Sequence, residues 1–235
     1  MNILENATRQ VLIPAAGVTL HGDLEIPFHA KGIVLFAHGS GSSRLSPRNR
    51  FVAKTLHGYG LGTLLFDLLT VDEEGVDRFT RHLRFDIGLL ASRLVAVTHW
   101  VQDSTETSHL PIAFFGASTG GGAALVAAAD LGKKIRSVVS RGGRPDLAGD
   151  ALPRVVSPTL LIVGEMDDHV ITLNKHALNL MTCERKMEIV PGATHLFEEP
   201  GTLEMAANLA GKWFEAHFDH SEEETPRVQA VLEAA

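Results

Sequence analysis

The stretch Phe114–Leu125, FFGASTGGGAAL, sets one serine among glycines where a short apolar run gives way to an alanine-rich one. Within it, Gly116-Ala117-Ser118-Thr119-Gly120 has the form G-x-S-x-G. The pattern alone is weak, because glycine and serine are common. Its context strengthens it: Ile112–Phe115 reads as a strand and Ser118–Leu131 as a helix, so Ser118 falls on a strand-to-helix turn. Such a turn strains the central residue and lifts its side chain clear of the sheet, and glycines two positions either side remove the β-carbons that would block it. A helix starting here aims its unpaired N–H groups and the positive end of its dipole at the same point. The competing reading is a glycine-rich hinge with a capping serine. Gly121 and Gly122 are not required by the motif, and each is about 1 kcal/mol worse than alanine inside a helix. They predict close packing against the first helical turn, or a turn that is less rigid.

Outward from this stretch the chain alternates two periods. Val11–Ile13 and Val18–Ile26 read as an antiparallel pair. Ile33–Ala37, Leu61–Phe66, Ile135–Ser140, Thr159–Val163 and Lys186–Val190 read as further strands. Between them lie expected helices at Pro47–His57 (Ser46 as N-cap), Phe85–Val101, Thr172–Met181 and Gly201–Phe218. Strands alternating with helices predict an α/β fold: a mostly parallel sheet with helices on both faces and an antiparallel hairpin at one edge. The connections Asp67–Arg84 and Arg141–Pro158 read as loops, too small for a cap domain. Residues 1–218 form one expected domain, and residues 219–235 an acidic tail, frayed or carrying a short helix over Pro226–Ala235.

The 235 residues are 45% hydrophobic and 21% charged, the profile of a globular chain with a sizeable core. A net charge of −7 argues against nucleic acid as a partner. The single cysteine, Cys183, excludes an internal disulfide and suits a reducing compartment. The N-terminal MNILENATRQ lacks the pattern of a signal peptide. No apolar run approaches the length of a membrane span. The expectation is a soluble, cytoplasmic monomer or homodimer acting on a small molecule, away from membranes.

A serine hydroxyl attacks well only when a base takes its proton. His195, in VPGATHLFEEPG, follows the last strand and precedes the last helix, at the sheet edge where open α/β folds hold their sites. His57, His82, His99 and His109 lie in or beside helices and read as structural. Orienting the imidazole takes a carboxylate. LLIVGEMDDHVITLN supplies Asp167 and Asp168 after strand Thr159–Val163, and the residues alone leave the choice between them open. The chain order is Ser, Asp, His.

FAHGSGSS, FFGASTGGG, VGEMDDHVITLN and PGATHLF together resemble the α/β-hydrolases, most closely the dienelactone-hydrolase-like branch, over roughly Val11 to Phe218. The resemblance implies an acid three residues after the glycine that ends the strand, with an aliphatic residue three further on. Gly164, Asp167 and Val170 fit that spacing, which favours Asp167 over Asp168. Dienelactone hydrolases proper carry cysteine in the elbow. Ser118 stands there in this chain, so the resemblance implies ester hydrolysis in general rather than a dienelactone substrate. It also implies two oxyanion donors: the N–H of Thr119, and one from the loop AHGSGSSRLSPRNR, assigned to Ser40. His38 is expected to brace that loop. A phosphate cradle is the rival reading of HGSGSS, but the G-K-[ST] ending is missing.

Arginines collect in the same loops: Arg44, Arg48 and Arg50; Arg81 and Arg84; Arg141 and Arg144. They pair with nearby carboxylates or hold an anionic group on the substrate, with Arg44 and Arg141 as the candidate substrate contacts. EMDDH and THLFEE lack a metal-binding helical spacing, so no metal and no cofactor is expected. The expected function is hydrolysis of a small ester, thioester or lactone by a serine enzyme. Acyl transfer, perhydrolysis or lyase chemistry on the same triad, and ligand binding without catalysis, are the alternatives.

Overall fold

The computed structural model describes residues 8–219, so the expected helix at Pro226–Ala235 lies outside the described residues. The described residues form one eight-stranded sheet of β1 (Arg9–Ala15), β2 (Val18–Glu25), β3 (Gly32–Ala37), β4 (Leu61–Phe66), β5 (Ile112–Ala117), β6 (Ile135–Arg141), β7 (Thr159–Gly164) and β8 (Arg185–Val190), in spatial order β1-β2-β4-β3-β5-β6-β7-β8. β1 with β2 and β2 with β4 run antiparallel, and the other pairs run parallel. This is the α/β-hydrolase architecture, with no large cap among the described residues.

β3, β4, β5 and β7 are buried at every position and mostly apolar, because both faces are covered. Side chains alternate between the faces with the period of two that a strand imposes. Ile33, Leu35, Ile112, Phe114 and Val138 meet α3 (Ile87–Asp103), α4 (Thr119–Leu131) and α5 (Asp168–Leu180). Val34, Phe36, Ala113, Phe115 and Val139 meet α1 (Pro47–His57) and α6 (Thr202–Asp219). Each of the largest buried side chains, such as Phe114 and Phe214, contributes about 1.5–3 kcal/mol by leaving water. Helix α1 starts as expected, with Ser46 Oγ accepting from Asn49 N at 3.3 Å. Among the described residues no helix is long and apolar enough to cross a membrane.

The structure corrects two readings. Asp67–Arg84 is not all loop: it contains α2 (Val71–Thr80). Thr70 Oγ1 accepts from Glu73 N at 3.2 Å, and Glu73 Oε2 accepts from Thr70 N at 2.8 Å, a reciprocal cap. Glu73 also receives Arg93 at 2.5 and 2.6 Å, and this contact leads in holding its carboxyl below the usual range. Helix α5 starts at Asp168 rather than Thr172, whose hydroxyl instead donates to Asp168 O at 3.0 Å inside the helix. Arg141–Pro158 carries only a 3-10 segment, Pro145–Arg154, kinked at Gly149.

Candidate active site

Five parallel strands end at one edge and deliver the candidate residues there. The loop after β3 brings His38 to Ser46, β5 ends at Ser118, β6 at Arg141, β7 leads to Asp167 and β8 to His195. Ser118 has φ 50° and ψ −122°, the left-handed backbone expected of a side chain thrust out of a sharp turn. Gly116 and Gly120 permit that turn. A β-carbon on Gly116 would sit 2.6 Å from Gly120 O, and one on Gly120 would sit 2.1 Å from Ala37 O.

Gly121 and Gly122 answer to packing. A β-carbon on Gly121 would lie 2.5 Å from Ser140 Oγ and 3.1 Å from Gly143 Cα, and one on Gly122 would lie 2.9 Å from Arg144 O. The first turn of α4 is therefore clamped by the segment after β6, and the hinge reading falls away for both.

His195 Nδ1 lies 2.6 Å from Asp167 Oδ2. Asp167 is the residue before α5 but makes no side-chain cap there, because its carboxylate turns to the imidazole. Asp168 stands on α5 itself. The His195 loop is tied on both sides. Glu199 accepts from Thr194 N at 3.0 Å and from Thr194 Oγ1 at 2.7 Å, which holds its carboxyl below the usual range. Gly192 N donates to Glu165 Oε2 at 2.8 Å. Ser118 and His195 line a common cavity of about 260 Å³, with Gly39, Ser40, Asn49 and Arg141.

Thr119 N–H belongs to the first turn of α4, where backbone donors have no partner inside the helix. Ser40 N–H donates to Thr119 Oγ1 at 2.8 Å, so the two expected oxyanion donors are coupled and the second is engaged in this structure. Behind Ser40 stands His38. Its Nε2 accepts from Leu68 N at 3.0 Å, which leaves Nδ1 as the protonated nitrogen facing Gly39 O at 3.0 Å. Burial pushes the His38 imidazole below its ordinary pKa, against the raising pull of Gly39 O and Asp67. A second cavity of about 280 Å³, bordered by Leu68, Leu90, Glu74 and Arg84, shares Gly39, Ser40 and Ser42 with the first.

The two arginines expected at the substrate differ. Arg44 is enclosed by carboxylates: Nη1 lies 2.5 Å from Asp67 Oδ2 and Nε 3.4 Å from Asp23 Oδ1. An ion pair that fixes the loop replaces the expected substrate contact. Arg141 is 7% exposed and lines the cavity of Ser118. Its guanidinium lies 5.9 Å from the Phe115 ring centre and 5.6 Å from that of Phe197. Asn49, Phe197 and Glu199 escaped the sequence reading. Only Glu199, four residues after His195 in THLFEE, left a visible signal there.

A crystal structure of dienelactone hydrolase from Anabaena variabilis matches this chain at 57% identity and TM-score 0.89, over 91% of this chain and 99% of that one. The chain belongs to the dienelactone-hydrolase-like family of α/β-hydrolases. The fold of this family member extends to distant structures. Est1E from Butyrivibrio proteoclasticus matches with TM-score 0.75 at 16% identity, over 91% of this chain and 100% of that one. A cold-adapted esterase from an Arctic intertidal metagenomic library matches with TM-score 0.74 at 20% identity, over 92% and 96%. Two Mycobacterium tuberculosis proteins, provisionally named phosphoribosyl transferases, are each 57% identical over 209 residues, 89% of this chain and 46% of theirs. The dienelactone-hydrolase-like chain thus spans about half the length of the curated relatives it matches. No family model matches it.

Proposed function

We propose that this chain is a serine hydrolase that cleaves a small carboxylic ester, thioester or lactone through an acyl-enzyme. The observation that carries the reading is the 2.6 Å contact of His195 Nδ1 with Asp167, beside a serine in left-handed backbone at a strand-to-helix turn. The contact keeps the proton on Nδ1 and leaves Nε2 as the base. Ser118 Oγ attacks the acyl carbon, Nε2 takes its proton and passes it to the departing oxygen or sulfur, and water repeats the cycle on the acyl-enzyme. Asp167 steadies the imidazolium. Thr119 N–H stabilises the oxyanion, with Ser40 N–H as second donor once it shares its hydrogen with the substrate oxygen.

The esterase and hydrolase names of the structural relatives agree with this chemistry. The transferase name belongs to proteins about twice as long. A cytoplasmic setting belongs to the same proposal, supported by the lone cysteine. The test is a fluorophosphonate probe followed by peptide mapping, with 4-nitrophenyl acetate as substrate. Labelling at Ser118, and a rate for Ser118→Ala lower by several orders of magnitude, are expected. Wild-type turnover by Ser118→Ala overturns the reading.

A further inference from the structure

Arg141 is charged, dry and lacks an anion. Five other arginines of these loops have carboxylates: Arg44 meets Asp23 and Asp67, Arg48 meets Glu198, Arg50 meets Asp23, Arg84 meets Asp77 and Arg144 meets Asp146, while Arg81 is exposed to water. For Arg141 the hydrogen bonding comes to one long contact, Nη2 to Asn49 Oδ1 at 3.5 Å. Its Nη1 is buried with no partner among the described residues. A buried ion left without its counter-charge is strongly destabilising. The two phenyl rings offset part of that by cation–π attraction, but they accept no strong hydrogen bond. Burial, with Arg48 nearby, pushes the guanidinium down to about 10, and it remains a cation at neutral pH.

The surroundings are built rather than incidental. Arg141 shares the sheet face of Val139, two residues earlier, and so points toward the side of α1 and α6, where Phe115 also lies. Phe197 is 2% exposed and holds φ 55°, a left-handed conformation that a bulky residue adopts only when its surroundings enforce it. Two residues after His195, that strained residue keeps its ring on the guanidinium. The cavity bordered by Arg141 is the one that holds Ser118.

We propose that Arg141 is the subsite for an oxyanion carried by the substrate, so that the favoured ester bears a carboxylate or a phosphate-like group beside the scissile bond. The proposal rests on the hydrolase reading of Ser118. The substrate's anion completes the pair that the fold leaves open, with Asn49 orienting the guanidinium. Arg48, whose partner Glu198 is mostly exposed, stands by as a second cation. A guanidinium suits the role because its planar fork grips an oxyanion while its faces stack on aromatic rings.

The experiment compares three esters with the same 4-nitrophenol leaving group: the hemisuccinate, its neutral methyl ester, and the 3-phosphonopropionate. The wild type is expected to favour an anionic ester in kcat/KM by about tenfold or more, and whichever anion wins identifies the group. That preference should collapse in Arg141→Met and in Arg141→Gln, two neutral side chains of similar length. In parallel, succinate and inorganic phosphate are tested for thermal stabilisation, a readout that requires no turnover. Stabilisation of the wild type that is lost in either variant supports the subsite.

No preference in the wild type, or a preference undiminished in a folded variant, overturns the proposal, and either wild-type result stands even if both variants fail to fold. Ser118 labelled by fluorophosphonate without anion preference removes the subsite and leaves the hydrolase reading intact. An unlabelled, inactive protein removes the hydrolase reading, and the Arg141-dependent thermal shift then judges the subsite alone.

Discussion

Asp167 Oδ2 stands 2.6 Å from His195 Nδ1, while the adjacent Asp168 begins α5 and Glu165 accepts from Gly192 N. Three acidic residues within four positions therefore have three separate tasks. Asp167→Asn is expected to lower kcat for 4-nitrophenyl acetate by about 10³–10⁴-fold, by favouring the wrong tautomer of His195. Asp168→Asn should stay within a few-fold of wild type. Steady-state kinetics on the two variants, with melting curves to confirm folding, checks the assignment.

The bond from Ser40 N to Thr119 Oγ1 joins the two segments expected to hold the oxyanion. Thr119→Ser keeps the acceptor and should retain nearly full activity. Thr119→Val removes it and releases the Ser40 segment, and kcat should fall about tenfold with KM little changed, since small displacements of positioned groups are costly to rate. Rates for the pair on one neutral ester separate the two cases.

Helix propensity and packing make opposite predictions at two glycines. Gly75, inside α2, has open space where its β-carbon would be. Gly75→Ala should stabilise the protein by about 1 kcal/mol. Gly121, inside α4, would place that carbon against Ser140 Oγ and Gly143 Cα. Gly121→Ala should destabilise by about 1–3 kcal/mol despite the better helix former. Urea unfolding of both variants provides the comparison.

His38 links stability to pH. Its folded pKa is lowered by burial, so the unfolded chain takes up the proton first as the medium is acidified. The stabilisation it provides is complete above about pH 6.5 and is lost as pH falls from there toward the lowered folded value. His38→Gln should be less stable than wild type by about 1–3 kcal/mol at pH 8, with the gap narrowing at pH 5.5. His57, also lowered by burial, titrates in both proteins and drops out of the difference.

The strands were legible where both faces are buried. Ile33–Ala37 and Leu160–Val163 are unbroken apolar runs, and such runs have few other uses. Helix α2 was hidden because its only buried residue is Asp77, while Val71, Val76 and Phe79 face outward, so no apolar stripe marks it. Its start was nonetheless written in TVDE, from Thr70 to Glu73, as a reciprocal cap. Ser118 and His195 could be picked out as candidates because each follows a recognisable strand, whereas Asp167 and Asp168 follow the same strand and the preference for Asp167 rests on the family resemblance. The difference between Arg44 and Arg141 could not be, because it depends on which distant side chains close around each guanidinium. Asp23 and Asp67 reach the first, and Phe115 and Phe197 the second.

Ser118 borders the cavity and Phe197 stacks on Arg141 in its wall; both hold left-handed backbones, and neither is glycine. Conformations of this kind carry roughly 1–3 kcal/mol of strain each. Glycine at either position relaxes the backbone and removes the side chain the geometry exists to present. Selection for heat resistance alone would therefore favour glycine at Ser118, whereas the burial of the Phe197 ring, worth about 3–5 kcal/mol, outweighs its strain. Directed evolution of this scaffold needs an activity screen at every round, because here robustness and chemistry pull in opposite directions.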